Sequence, residues 1–143
     1  MAKRPINKNH LTDANYRTLA AFRHALRDFL AFSTAEAEAV GLTPQQHQTL
    51  LAIKGWGEDT PPTIKSLAAQ LMIRHNSAVE LVHRLDDAGL VRRIEAVEDR
   101  RQIQLSLTAK GEAALAALST SHLAELRQRG PHLVEILLTL ISH

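Results

Sequence analysis

The stretch Ile94–Gly111, IEAVEDRRQIQLSLTAKG, limits the architecture more than any other part of the chain. Gln102–Leu107 alternates, with Ile103, Leu105 and Leu107 on one side, as a half-buried strand does. Leu90–Glu95 reads as a strand before it, and the charged knot Glu98-Asp99-Arg100-Arg101 separates the two. Elsewhere the apolar residues recur at helical steps. The sheet this chain can form is therefore a two-stranded ribbon, set between helices.

Those helices have legible ends. Thr12 or Asp13 can cap a long first helix in which Leu19, Phe22, Leu26, Phe29 and Leu30 form an apolar stripe, ended by Gly41. Thr43-Pro44-Gln45-Gln46 supplies a cap, a proline at the first helical position and a capping-box glutamine. A short helix through Leu50, Leu51 and Ile53 follows and closes at Gly55; GWGEDTPP is a loop rich in breakers. Thr63 opens a second short helix with Ile64, Leu67, Ala68 and Leu71 on one face. Beyond Met72-Ile73-Arg74 a third carries Ala78, Leu81, Val82 and Leu85, and Gly89 stops it. After the ribbon, Thr108 caps a helix running from Ala113 to Leu126, Gly130-Pro131 breaks it, and Leu133–Ile141 forms a last one. The fold class expected is mainly α with a small two-stranded β wing: a winged helix-turn-helix between terminal helices.

Composition narrows the function. Apolar residues make up 45% but aromatics only 3%, so the core is aliphatic and favours helices. The absence of cysteine excludes disulfides and thiol-based zinc sites and fits a reducing cytoplasm. No run of about 18 apolar residues is present, so no membrane span is expected, and the basic start MAKRPINKNH lacks the apolar core of a signal peptide. Net charge is +2 with a pI near 9.3, which leans towards an anionic partner. No Gly-rich phosphate loop, nucleophile elbow or His-Glu-x-x-His is found, so an enzyme is not expected and no cofactor is implied.

A helix-turn-helix places its second helix in the major groove of DNA. With Ala78, Leu81, Val82 and Leu85 inward, Asn76, Glu80, His83 and Asp87 point outward and Val79 lies on the flank. Arg74, His75, Asn76 and Ser77 stand at the helix start, where free amides and the positive dipole end favour phosphate. Asn76 can bond adenine, and a Val79 methyl can touch thymine. Glu80 can accept from cytosine or repel phosphate. For an isolated segment, a solvated helix terminus with ordinary capping is the commoner explanation of Arg74, His75 and Asn76.

The run LAAQLMIRHNSAVELVHRLDDAGLVRR, followed by EDRRQIQLSLTAKG, resembles the multiple-antibiotic-resistance regulator (MarR) family of winged-helix transcription factors. The likeness extends from about Thr43 to Glu112. It is carried by Leu67-Ala68, Leu81-Val82-x-Arg84-Leu85, Gly89-Leu90-Val91, the wing Asp99-Arg100-Arg101, and Leu107-Thr108-x-x-Gly111. The resemblance implies a homodimer held by its terminal helices, repression of nearby genes, and release by a small, often phenolic or aromatic, ligand. It also implies that Arg101 enters a minor groove while Asp99 orients its guanidinium, with Arg100 on phosphate; a narrow minor groove attracts arginine in this way. His83 and Arg84 join the expected DNA contacts. The chain departs from the family at Val79 and Glu80, where a small hydroxyl and a basic residue are common, at His75, and at Arg74, where a serine-like cap is common.

On this reading residues 1–143 form one MarR-like domain, with dimerisation helices at 12–40 and 108–143 around a winged region at 43–107. The stripes Leu115, Leu118, Leu123, Leu126 and Leu133, Ile136, Leu137, Leu140, Ile141 exceed what a small winged unit needs and suit a second copy of the chain. Where the outer helices meet that unit, Phe22, Arg23, Leu26, His47, Leu51 and Trp56 are candidate walls of an effector pocket. Two rivals share the fold. Eight histidines, with His24/Asp28 and His83/Asp87 four apart, raise a metal-responsive regulator, although no two histidines have helical ligand spacing. A protein-binding winged helix is the other.

Overall fold

The computed structural model describes residues 10–57, 59–95 and 102–142. Its elements are α1 (Asp13–Ala39), α2 (Pro44–Lys54), α3 (Ile64–Leu71), α4 (His75–Asp87), β1 (Val91–Glu95), β2 (Ile103–Leu107) and α5 (Ala109–Ile141). The chain is thus mainly helical with a two-stranded antiparallel wing, as the ribbon predicted.

The helix starts follow the capping chemistry. Thr12 and Asn15 exchange backbone-to-side-chain bonds of 2.9 and 3.2 Å at the head of α1. Thr43 and Gln46 form a reciprocal capping box, with Pro44 at the first position of α2. Thr63 does the same at α3, with Ser66 in place of the usual glutamate or glutamine. Behind α4, Gly89 takes a left-handed conformation (φ +73°), and Leu90 N–H closes onto the Leu85 carbonyl at 2.9 Å.

By contacts the chain divides into two compact units, Met1–Phe32 with His122–His143, and Ser33–Ser121. The boundary falls inside α1 and α5 rather than at their ends. The reason is packing: Ala37, Leu115 and Leu118 are buried in the same cluster as Leu50, Leu67, Val82, Leu85, Val91 and Leu105. Sequence periodicity placed Leu115 and Leu118 with Leu123 and Leu126, but the first two belong to the winged unit's core while the latter two are exposed. Within the winged unit β1 pairs with β2 from Val91↔Leu107 to Glu95↔Ile103. The far edge of β2 is also occupied. Leu105 N–H donates to the Pro62 carbonyl at 2.8 Å and Thr63 bridges Gln104, so the end of the breaker-rich loop acts as a short third edge. A proline can accept in that position although it cannot donate.

In the other unit Phe29 and Phe32 meet the His122 ring edge-on, at 6.0 and 5.4 Å between centroids. Arg129 is paired with both Asp28 and Glu125. The break expected at Gly130-Pro131 is absent: α5 continues unbroken through Pro131 to Ile141. Proline clashes with the Cβ of the residue before it when that residue is helical. Gly130 has no Cβ, so that one clash is absent where α5 passes Pro131. Among the described residues no helix is long and apolar enough to cross a membrane.

Candidate nucleic-acid interface

α3 and α4 are joined by a turn whose pivot is Met72. It adopts a left-handed conformation (φ 57°, ψ 41°) that non-glycine residues rarely take, and its side chain is 91% exposed. Met72 N–H bonds the Ala69 carbonyl and Ile73 N–H the Ala68 carbonyl, which ends α3 and turns the chain sharply into α4. Ile73 packs on the core and fixes the direction of entry.

α4 is strictly two-faced. Ala78, Leu81, Val82 and Leu85 are buried, and Arg74, His75, Asn76, Ser77, Val79, Glu80, His83, Arg84 and Asp87 are exposed. Opposite the buried row lie Asn76, Glu80, His83 and Asp87, as the 100° step requires. Arg74 is the N-cap but makes no side-chain capping bond, unlike Thr43 and Thr63. Its guanidinium is therefore not engaged in closing the helix. Two side-chain pairs run along the exposed face: the ion pair of Arg84 Nη2 with Glu80 Oε1 at 2.6 Å, and His83 Nε2 beside Asp87 Oδ2 at 3.3 Å. A third, Arg93 Nε to Asp86 Oδ2 at 3.1 Å, ties β1 to the end of α4. Asp99, Arg100 and Arg101, the expected wing-tip residues, lie outside the described residues. Of β1, Arg92 through Glu95 are exposed. Sequence reasoning did not single out Arg92 or Arg93.

Thr108, expected as a cap of the following helix, also holds α4 in place, a role not read from the sequence. Thr108 N–H donates to the Leu90 carbonyl at 3.1 Å and its hydroxyl to the Gly89 carbonyl at 2.6 Å. Lys110 Nζ reaches the Ala88 carbonyl at 2.8 Å. The start of α5 therefore closes the C-terminus of α4, where a lysine also suits the dipole. Gly111 completes the clamp: a Cβ there would stand 2.1 Å from the Leu90 carbonyl oxygen. The Thr108-x-x-Gly111 spacing was the available signal.

Of the six expected pocket residues, Phe22, Arg23 and Leu26 fall in one unit and His47, Leu51 and Trp56 in the other. Leu51 and Trp56 line a cavity of about 640 Å³ in the winged unit, with Gln48, Ala52, Gln70 and Leu71. Leu26 lines a different one of about 620 Å³ within the other unit, beside Phe29, Leu126 and Leu133. Phe22 is half-buried, Arg23 exposed and His47 buried, and none of the three lines either cavity. Among the described residues no three of His, Cys, Asp or Glu gather as metal ligands would.

Residues 40–102 match the family model of the MarR family. No curated protein matches the chain by sequence. Among solved structures it is similar to the MarR family transcription regulator SP03579, with 25% identity and a TM-score of 0.72 over 92% of this chain and 91% of that one. It is also similar to AbsC, a MarR family transcriptional regulator from Streptomyces coelicolor, with 22% identity and a TM-score of 0.70 over 82% and 79%. A mutant of S. aureus MepR bound to an oligodeoxyribonucleotide aligns with 20% identity and a TM-score of 0.67 over 86% and 94%. The two-faced α4 behind its sharp turn, the adjoining ribbon and the match over residues 40–102 agree on a winged helix-turn-helix that is similar to that of the MarR family.

Proposed function

We propose that this chain is a homodimeric DNA-binding transcriptional repressor that reads a pseudo-palindromic operator and is released by a small aromatic ligand. The observation that carries the reading is the exposed polar face of α4, anchored from behind by Leu81, Val82 and Leu85. α4 enters the major groove with Arg74, His75, Asn76 and Ser77 leading, Val79, Glu80 and His83 over the base edges, and Arg84 towards phosphate. Arg101 enters the adjoining minor groove, oriented by Asp99, and Arg100 meets phosphate. The similar MepR mutant bound to an oligodeoxyribonucleotide supports DNA as the partner by analogy.

A second copy of the chain is the partner the outer helices suit. Leu19, Leu30, Leu123, Val134, Leu138 and Ile141 are exposed there, and apolar surface on that scale marks an interaction face. A two-fold dimer spaces its reading helices for half-sites about one helical turn apart. The cavity beside Leu51 and Trp56 has the size of small-molecule sites. An effector there releases DNA only by binding better to the state that cannot span the operator.

The test is a footprint on the DNA upstream of the chain's own coding sequence, repeated with a panel of phenolic acids and with Arg101→Ala. Expected are two protected half-sites, loss of protection with one or more acids, and much weaker protection by the variant. Binding that ignores sequence, or an Arg101→Ala variant with intact operator affinity, would overturn the reading.

A further inference from the structure

The exposed face of α4 carries two carboxylates, Glu80 and Asp87, on a surface proposed for a polyanion. Each has a basic side chain one turn away in the same helix, but the two pairs are not equivalent. Asp87 is the last residue of α4, and its partner is a histidine at 3.3 Å. Glu80 lies mid-helix, one turn beyond Asn76 on the strip opposite the buried row, and its partner is a permanent cation at 2.6 Å. Reading helices contact bases with the N-terminal part of their length, so Glu80 and not Asp87 stands where base edges would be.

The geometry also separates the roles within the pair. Four residues advance the helix by about 40° beyond one turn, so Arg84 is rotated off the central strip towards one flank. Side chains on a helix lean towards its N-terminus, which carries the Arg84 guanidinium back to the Glu80 carboxylate. The acid therefore holds the centre of the face and the base its edge. A guanidinium has five N–H donors, so bonding Glu80 leaves others for a phosphate on that side.

We infer that Glu80 reads the exocyclic amino group of one cytosine in each half-site, and that Arg84 is the positioning residue that aims its carboxylate and cancels its charge. This rests on the proposed entry of α4 into the major groove. An ionised carboxylate only accepts hydrogen bonds. Guanine and thymine offer acceptors in that groove and repel it, while adenine sets the N7 acceptor beside its amino group. Cytosine alone presents an amino donor with no acceptor on its own base; the guanine O6 lies to one side, and the other side is the non-repelling C5–H. Without Arg84 the carboxylate would sit unpaired between two phosphate walls; with it, the unit entering the groove is neutral.

The experiment starts by selecting duplexes from a random library with the full-length wild-type chain. Single base-pair replacements in the selected operator are then measured by fluorescence anisotropy. The expected result is one C·G pair per half-site whose replacement weakens binding about 5- to 150-fold, and whose preference disappears in Glu80→Ala while the other positions keep theirs. N4-methylcytosine at that site replaces the groove-facing N–H by a methyl group; it should weaken the wild type and leave Glu80→Ala unaffected. Arg84→Ala should lose discrimination at that same pair, and Arg84→Lys should restore part of it. If Arg84→Ala instead weakens all duplexes equally and keeps the full preference, Arg84 is only a phosphate contact and the positioning role is refuted. A preference retained by Glu80→Ala but sensitive to 7-deazaguanine would assign the reading to Arg84 and overturn the inference. A wild-type chain that enriches no sequence would overturn the DNA-reading proposal itself, an outcome distinct from both. Both side chains are exposed, so matching thermal melts of the variants serve as the folding control.

Discussion

Gly111→Ala is a one-methyl change whose consequence can be worked from distances. The new Cβ would lie 2.1 Å from the Leu90 oxygen and 3.1 Å from its carbon. Ordinary C···O contact begins near about 3.3 Å, so α5 and the α4–β1 corner must separate by roughly 1 Å. The obstructing oxygen is also an acceptor: Thr108 N–H bonds it at 3.1 Å, while Thr108 Oγ1 and Lys110 Nζ hold the Gly89 and Ala88 carbonyls. Moving apart by that distance takes the Thr108 N–H bond beyond useful length and lengthens the others. Two such bonds contribute about 1–3 kcal/mol, and strain in the surrounding core adds about 1–3 kcal/mol. Replacing glycine within a helix returns about 1 kcal/mol. The net expectation is a loss of about 1–5 kcal/mol, centred near about 3 kcal/mol, read by urea unfolding followed by circular dichroism at fixed protein concentration. Gly89→Ala is the comparison. It has a positive φ of 73° but no atom within 4 Å of the added methyl, so it should lose only about 1–2 kcal/mol. If Gly111→Ala were no less stable than Gly89→Ala, the collision argument would be wrong.

Three further outcomes follow from the same structure. Arg74→Ala should weaken binding to specific and unrelated duplexes alike and reduce the salt slope by about 1; an unchanged slope in an anisotropy titration would remove Arg74 from the phosphate contacts. Pro131→Ala restores an N–H that can bond the Arg127 carbonyl, and should raise stability by about 1–3 kcal/mol in urea; a less stable variant would mean that the proline's local shape is itself needed. Leu138→Glu, on the exposed face of α5, should shift sedimentation from dimer to monomer and weaken operator binding together, whereas a stable dimer would place the interface elsewhere.

How far the sequence revealed this fold depended on whether its signals were local. Thr43, Thr63 and Thr108 announced their helices because a hydroxyl three residues from an N–H can cap it wherever the helix lies in the molecule. The buried row of α4 was legible for a related reason: Ala78, Leu81, Val82 and Leu85 share one face whatever covers them. Tertiary facts were not legible. Nothing in Leu115-x-x-Leu118 separates a core stripe from a dimer stripe, since both want the same side chains. Gly130-Pro131 was misread because a propensity count adds two breakers, whereas Gly130 lacks the Cβ that a following proline would otherwise strike. The candidate site divides along the same line. The exposure of Asn76 and Glu80 follows from helical phase alone. That Glu80 arrives already paired depends on Arg84 choosing it over phosphate, solvent or another acid, and an i,i+4 spacing permits that choice without compelling it. Glu80, the acid least expected on the exposed face of α4, thus stands in the structure as half of an ion pair with Arg84, which the residue type alone does not show.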